Sequence, residues 1–191
     1  MKNLKLVSPQ AQCKWIWLNK PHPEYDVFQI TLMLPAKSKE AKSWMRDIDS
    51  WVDEEVKASG KKPSEHLPYK EDGDNILFKF KQKSSFKDSN GERKNIKIMV
   101  VDSDLKPCKV QIGWGSKVKV SYSPIPYTVN GKSGVTLYFN SVQVLDLVEY
   151  DVAASTGFEK EEGGYSAPEP QGELPFEPSS EDDDDEDFRN L

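Results

Sequence analysis

Lysines and aromatic rings are the side chains whose spacing in this sequence could do chemistry. Lys79, Lys81 and Lys83 alternate along the chain with Phe78 and Phe80. A β-strand sends successive side chains to opposite faces, so this stretch predicts a row of cations on one face and rings on the other. Such a row could follow a phosphate backbone, and the alternative is an ordinary solvated strand face.

The residues that follow predict a hairpin. Asn90-Gly91 readily supplies the positive φ angles of a tight turn, and the chain then returns through the alternating segment 93–101. We therefore expect residues 76–83 and 93–101 to pair as adjacent antiparallel strands, which would bring Arg93 beside the lysine row.

Further cations and rings complete a candidate binding surface. Lys117 and Lys119 alternate with apolar residues on another predicted strand, and a proline-containing loop, 123–127, would present Tyr127. The candidate phosphate-binding residues are Lys79, Lys81, Lys83, Arg93, Lys117 and Lys119, and the candidate base-stacking residues are Tyr127, Tyr138, Trp15 and Trp17. Trp15 and Trp17 share one face of a predicted strand over 14–18, and the alternative, packing of that face in the core, is the commoner outcome for tryptophan.

A basic groove with exposed rings is suited to single-stranded nucleic acid. Lysines contact the phosphates, and each ring can stack on any base for about 1–3 kcal/mol. Each neutralised phosphate would contribute about −0.7 to the log–log salt slope of binding. The same surface would suit RNA as well, so an RNA chaperone is an alternative.

No set of catalytic residues is evident. His22 lies between two prolines and His66 in a polar loop, and neither has an obvious serine or cysteine partner. The pair Asp102 and Asp104 could hold a divalent ion, but such pairs more often close a turn. Cys13 and Cys108 lack metal-ligand spacing and are expected to be reduced and packed as small apolar groups. The sequence predicts no enzyme, no cofactor and no metal.

Charge is distributed very unevenly along the chain. Residues 1–150 hold 24 Lys+Arg and 18 Asp+Glu, a balance of +6, whereas residues 151–191 hold 2 and 14, a balance of −12. A mildly basic body with an acidic tail is an asymmetry that suggests work on nucleic acid.

The hydrophobic pattern predicts one small all-β domain. Alternating stretches separated by turn residues indicate five or six strands, including 27–34, 117–122 and 135–150, and so a barrel or sandwich. Between them an apolar stripe at three- and four-residue intervals predicts one helix over about 38–58, ending near Gly60 and closing one end of the sheet or barrel. Residues 1–150 are therefore expected to form the domain.

Residues 151–191 are predicted to be a disordered acidic tail, because they hold too few apolar groups to offset the entropy of ordering. The candidate partner-binding residues of this tail are Glu181, Asp182, Asp183, Asp184, Asp185, Glu186, Asp187 and Phe188. The alternatives are a tail that only aids solubility, or an interaction protein whose acidic arm mimics DNA.

No apolar run approaches the roughly 20 residues that span a bilayer, and the first residues lack the apolar segment of a secretory signal. We expect no contact with membrane, and a protein that stays where it is made.

Several motifs, in matching order over most of the chain, resemble those of the single-stranded DNA-binding proteins of short-tailed, T-seven-like phages. They are Phe78-Lys79-Phe80-Lys81, Val100-Val101-Asp102-Ser103, the run from Gly115 to Ser123, Pro126-Tyr127, and Val142-Gln143-Val144-Leu145, together with the acidic tail.

The resemblance implies a five-stranded oligonucleotide-binding (OB) barrel with a capping helix. By the resemblance, Lys81, with Lys79 beside it, lies in the basic groove, Tyr127 is an aromatic DNA contact, and Trp15 and Trp17 replace two tyrosines. It further implies that the protein removes secondary structure from DNA and promotes annealing during phage replication, recombination and repair.

The same resemblance implies partners for the tail. It would dock on the phage DNA polymerase and the primase-helicase, and take part in forming a homodimer, in the cytoplasm of the infected bacterium. An arm of −12 tethered to a body of +6 also has a high local concentration at the lysine groove, which it is expected to occupy when DNA is absent.

Overall fold

The structure, a computed structural model, describes residues 4–148, and this range contains eleven β-strands and one α-helix. In chain order the elements are β1 (Leu6–Val7), β2 (Ala11–Trp17), β3 (Val27–Pro35), α1 (Lys39–Ser59), β4 (Lys62–Pro63), β5 (Tyr69–Asp72), β6 (Asn75–Lys83), β7 (Ser85–Lys87), β8 (Arg93–Asn95), β9 (Met99–Val101), β10 (Lys117–Val129) and β11 (Lys132–Asp146). The prediction of a mostly β protein with one helix is confirmed.

Five of these strands close into a ring. β2 pairs with β3, β3 with β6, β6 with β11, β11 with β10, and β10 pairs again with β2. Every pairing is antiparallel except that of β6 with β11, which is parallel. This is the strand order of the OB fold, whose barrel wall presents an outer face for ligands.

Alternation along the strands fills the inside of the barrel. Ile30 and Leu32 of β3, Phe80 of β6, and Leu137 and Phe139 of β11 are all buried, as the period-two pattern predicts. Their neighbours in sequence therefore face outward, and these outward residues include the candidate binding residues of β6 and β11.

Helix α1 begins and ends where the sequence predicts. Ser38 caps its first turn by accepting a hydrogen bond from the Ala41 amide, and Gly60 ends it with φ of 64°, donating to the Val56 carbonyl. The Trp44 ring stacks on Phe78 with a centroid distance of 4.1 Å, and its Nε1 donates to the Tyr122 hydroxyl at 2.8 Å. The helix thus covers the barrel interior with its apolar stripe.

The predicted pairing of 76–83 with 93–101 is wrong. β6 pairs with β3 along its whole length, and on its other edge with β5 and β11. The returning segment is divided: β8 pairs with β7 in a separate two-stranded sheet, whereas β9 pairs in parallel with β11. The chain bends at Ser84, between β6 and β7, so β6 does not continue into the turn.

The predicted loop 123–127 is also wrong, because β10 runs through it. Pro124 lies opposite Leu137 and Pro126 opposite Val135 of β11. Proline lacks an N–H donor, and a strand tolerates it on an edge that needs no donor. Asn130 and Gly131, with φ of 51° and 75°, then form the tight turn into β11, as their sequence predicts.

Residues 87–93 form the tip of the β7–β8 hairpin and belong to a second unit, distinct from the barrel. Asp88 Oδ1 accepts hydrogen bonds from the amides of Asn90 and Glu92, and Gly91 has a φ of 79°. The tail predicted for 151–191 lies outside the described residues, so its disorder stays a prediction.

Candidate nucleic-acid interface

One row of outward side chains crosses four neighbouring strands of the barrel. Trp17 of β2 lies opposite Gln29 of β3, Gln29 lies opposite Lys81 of β6, and Lys81 lies opposite Tyr138 of β11. The Trp17 side chain is exposed and Tyr138 is half-buried. The barrel therefore presents a ring, an amide, a cation and a second ring at one level of its outer face.

A second row, one step along the strands, carries more positive charge. Lys14 of β2 lies opposite Thr31 of β3, which lies opposite Lys79 of β6. Partial burial, the charge of Lys81 and the charge of Lys70 together lower the pKa of Lys79 from its ordinary value. The mutual repulsion of Lys79, Lys81 and Lys70 favours an anionic ligand, because an anion would relieve it.

Trp15 lies at the edge of this face because β2 is irregular there. The register with β3 shifts between Lys14 and Trp17, and Trp15 has a φ of 51°. The residue is 51% exposed, and its ring centroid lies 4.4 Å from Lys14 Nζ and 5.8 Å from Lys70 Nζ. Lys14 also pairs with Asp72 at 3.4 Å. Both tryptophans whose placement the sequence left open are thus at the surface.

Sequence reasoning missed other members of this surface. Lys70 approaches only because β5 folds back on β6 after a turn at Gly73. His22 and Tyr25 lie in the β2–β3 loop, where the His22 ring is 4.9 Å from Trp17 and 4.8 Å from Tyr25 by ring centroids. The prolines around His22 signalled a turn, but no local pattern indicated that the turn would bring three rings into contact.

Tyr127 is more restrained than its predicted role suggested. Its hydroxyl is hydrogen-bonded to Ser64 Oγ at 2.8 Å and to the His66 carbonyl oxygen at 3.1 Å. The ring lies close against Gly134, where an added Cβ would be 2.8 Å from the Tyr127 hydroxyl oxygen. Tyr127 and Tyr138 share the outer face of the β10–β11 pair, and base stacking by Tyr127 stays a prediction.

The predicted cations are only partly brought together. Lys83 continues the β6 row and is half-buried. Lys117 lies opposite Gln12 of β2 and Asp146 of β11, away from the β6 pairings, and its Nζ is 3.1 Å from Asp146. Lys119 lies opposite Gln143 of β11. Phosphate contacts by Lys117 and Lys119 stay a prediction.

Arg93 belongs to the separate hairpin tip, so its predicted contact with phosphate is likewise untested. The predicted partner-binding residues from Glu181 to Phe188 lie outside the described residues, and their role stays a prediction too.

The groups considered for metal chemistry have structural roles. Asp102 Oδ1 accepts hydrogen bonds from the amides of Asp104 and Lys106, both at 2.9 Å, and so closes a turn. Cys13 is fully buried, and burial raises the pKa of its thiol to about 11. Within residues 4–148 no group of three or more potential ligands could hold a metal ion, and no helix is long and apolar enough to cross a bilayer.

A closed five-stranded ring with one capping helix is the architecture of the OB-fold class, and lysines with exposed rings are the groups that OB folds use to hold nucleic acid. The family model described as single-stranded DNA-binding protein, bacteriophage T7, matches residues 19–147, which is more than half of the chain. This chain belongs to that family.

Two curated relatives support the assignment. The single-stranded DNA-binding protein of Enterobacteria phage T3 is 38% identical over 149 residues, covering 68% of this chain and 63% of the relative. That of Escherichia phage T7 is 38% identical over 141 residues, covering 68% and 61%. The chain therefore matches about three fifths of the length of these relatives.

Solved structures show the same architecture. The crystal structure of gp2.5, a single-stranded DNA-binding protein encoded by bacteriophage T7, has a TM-score of 0.70 at 27% identity, covering 86% of this chain and 99% of that one. The single-stranded DNA-binding protein of bacteriophage Enc34, in complex with ssDNA, has a TM-score of 0.58 at 15% identity, covering 78% and 89%. The second likeness is one of fold.

Proposed function

We propose that this chain binds single-stranded DNA along the outer face of β2, β3, β6 and β11. The observation that carries the proposal is the row Trp17, Gln29, Lys81 and Tyr138, with Lys79 and Lys14 in the adjoining row. The names of the relatives, all single-stranded DNA-binding proteins, agree with it.

Binding of this kind is independent of base sequence. Lysine ammonium groups interact with phosphates as point charges, and a ring can stack on any base because every base has a π-face. Since a duplex keeps its bases stacked on each other, a protein that stacks on bases favours the unpaired strand. The proposed consequences are coating of exposed template, removal of hairpins and assistance to annealing.

Tryptophan fluorescence during titration with oligo-dT tests the proposal. Trp15 and Trp17 lie at the exposed face, so we expect quenching that saturates, and an affinity that is weaker at higher salt. No quenching and no binding in dilute buffer would refute the proposal. Tighter binding of an RNA strand in competition would select an RNA chaperone, and affinity for a basic protein but none for oligo-dT would select a DNA mimic.

The wider role is proposed as well. We assign the protein to phage DNA replication, recombination and repair in the cytoplasm of the infected bacterium, where it would act as a homodimer without enzyme activity of its own. The acidic tail, 151–191, would recruit the phage DNA polymerase and primase-helicase and contribute to the dimer. Its balance of −12 would also let it occupy the lysine face when DNA is absent.

Removing residues 175–191 tests the role of the tail. The truncated protein should bind oligo-dT more tightly at low salt, because a competing anion has been removed, and it should lose contact with the polymerase. An unchanged affinity for oligo-dT at low salt would refute the masking role, and retained polymerase contact would refute the recruiting role.

A further inference from the structure

A small pocket opens on the lysine-bearing face, beside Trp15. Its volume is about 220 Å³, and its floor is made by the buried residues Thr31 and Leu77. Trp15 and Leu67, both exposed apolar side chains, also line it. Pockets for whole drug-sized ligands begin at about 300 Å³, so this one has room for a flat ring rather than a complete nucleoside.

The rim of the pocket combines positive charge with an amide. Lys70 and Lys79 line it, and so does Gln29, whose side chain makes no hydrogen bond to any residue between 4 and 148. An amide can both donate to and accept from a polar heterocycle. The surroundings therefore suit an aromatic ring with polar edges that is joined to an anion.

Backbone strain at Trp15 supports a role in binding. A φ of 51° is disfavoured for a bulky side chain, and the accompanying register shift interrupts the pairing of β2 with β3. Strained residues of this kind are common where a side chain is aimed at a ligand. The irregular backbone at Trp15 takes its ring out of the regular strand alternation. The ring lines the pocket, and the residue remains half exposed.

We propose that this pocket receives one unpaired nucleobase, which stacks on Trp15 while Lys70 and Lys79 bind the neighbouring phosphates. The proposal rests on the proposed function and deepens it: one base is held in this pocket, whereas the rest of the strand is bound through its backbone. Gln29 hydrogen-bonds the edge of the bound base, and Leu67 packs against the base.

The test compares two ligands of equal length and charge, oligo-dT and an oligonucleotide of abasic sites, at one low salt concentration. Trp15→Ala should weaken oligo-dT binding by about fivefold or more, because base–aromatic stacking is lost, with a less than about twofold change for the abasic strand. Leu67→Ala should weaken oligo-dT selectively as well, and Trp15→Phe should retain most of the affinity. Trp114→Ala removes an exposed tryptophan that does not line this pocket and is the matched control.

The possible failures are distinguishable. If the wild-type protein binds neither ligand, the proposed function itself is wrong. The wild-type protein could instead bind both ligands, while Trp15→Ala and Leu67→Ala weaken the two ligands equally or weaken neither. In that case the pocket does not receive a base, and the proposed DNA-binding face is unaffected. Should Trp15→Ala fold poorly, Trp15→Gly removes the same ring without the left-handed strain and decides the same question.

Discussion

Trp15 is held in a backbone conformation that its side chain disfavours. At a left-handed φ of 51°, a residue with a Cβ costs about 1 kcal/mol relative to glycine. In an ordinary strand the order is reversed, and alanine is better than glycine by about 0.5–1 kcal/mol. The stability of two ring-free variants therefore reports on the backbone alone.

We predict that Trp15→Gly is more stable than Trp15→Ala by about 1 kcal/mol, or about 2–4 °C in Tm. Thermal unfolding followed by circular dichroism measures the difference. Trp17 has no left-handed φ, so the same pair of substitutions at Trp17 should give the usual order, with alanine the more stable. A more stable alanine variant at both positions would show that Trp15 is not strained.

Lys79 gives a second prediction, concerning pH. Its pKa is lowered by burial and then by the charges of Lys81 and Lys70, so it loses its proton at a lower pH than an ordinary lysine. Because the folded pKa lies below the unfolded one, its charge disfavours folding at low pH, and this penalty is relieved as pH rises through the folded pKa. DNA affinity should fall over the same range, since the neutral amine no longer attracts phosphate.

NMR titration of the Lys79 side chain tests the cause of this shift. Lys81→Gln should raise the pKa of Lys79, because one repelling charge is gone, and should move the loss of DNA affinity to higher pH. Lys132→Gln removes a cation that pairs with Glu65, and it should leave the pKa of Lys79 unchanged. An unchanged Lys79 pKa in Lys81→Gln would contradict the proposed coupling.

Helix α1 is attached to the barrel through a polar contact inside an aromatic cluster. Trp44 Nε1 donates to the Tyr122 hydroxyl, and burial raises the pKa of Tyr122 to about 12. Tyr122→Phe would leave the buried N–H without its acceptor, so we predict a loss of about 1–3 kcal/mol in the free energy of unfolding. Urea denaturation measures it.

Tyr138 provides the matched control for that substitution. Its ring is half-buried on the outer face, and its hydroxyl has no hydrogen-bond partner among residues 4–148. Tyr138→Phe should change the free energy of unfolding by less than about 0.5 kcal/mol. Equal losses from Tyr122→Phe and Tyr138→Phe would show that the Trp44–Tyr122 hydrogen bond does not contribute as described.

The bounds of α1 were predicted well from the sequence, but the pairing partners of the strands were not. The bounds of α1 followed from Ser38, Gly60 and the apolar stripe, all of which are local signals. The pairing of β6 was predicted wrongly because a turn at Asn90-Gly91 implies a hairpin, whereas the register with β3 depends on contacts between residues about 50 positions apart. Pro124 and Pro126 likewise suggested a loop, but they lie in β10 where one edge of the strand needs no N–H donor.

For the whole molecule, the lysine row was visible in sequence, but the surface around it was not. Lys79 and Lys81 follow from strand alternation, whereas Lys14, Lys70 and Gln29 join them only when four strands and β5 are assembled. The irregularity that exposes Trp15 left no sequence signal, since a left-handed tryptophan is rare. The uneven charge, in contrast, follows from composition alone, with a balance of +6 in residues 1–150 and −12 in residues 151–191.

The location of the phosphate track is tested most directly by the salt dependence of oligo-dT binding in two double variants. Lys79→Gln/Lys81→Gln and Lys117→Gln/Lys119→Gln remove the same charge from the same barrel. At about 0.7 per lost phosphate contact, the first should reduce the magnitude of the log–log slope by about 1.4. The second should reduce it less, because Lys117 already pairs with Asp146. Equal reductions in both variants, or none in the first, would contradict a track centred on β6.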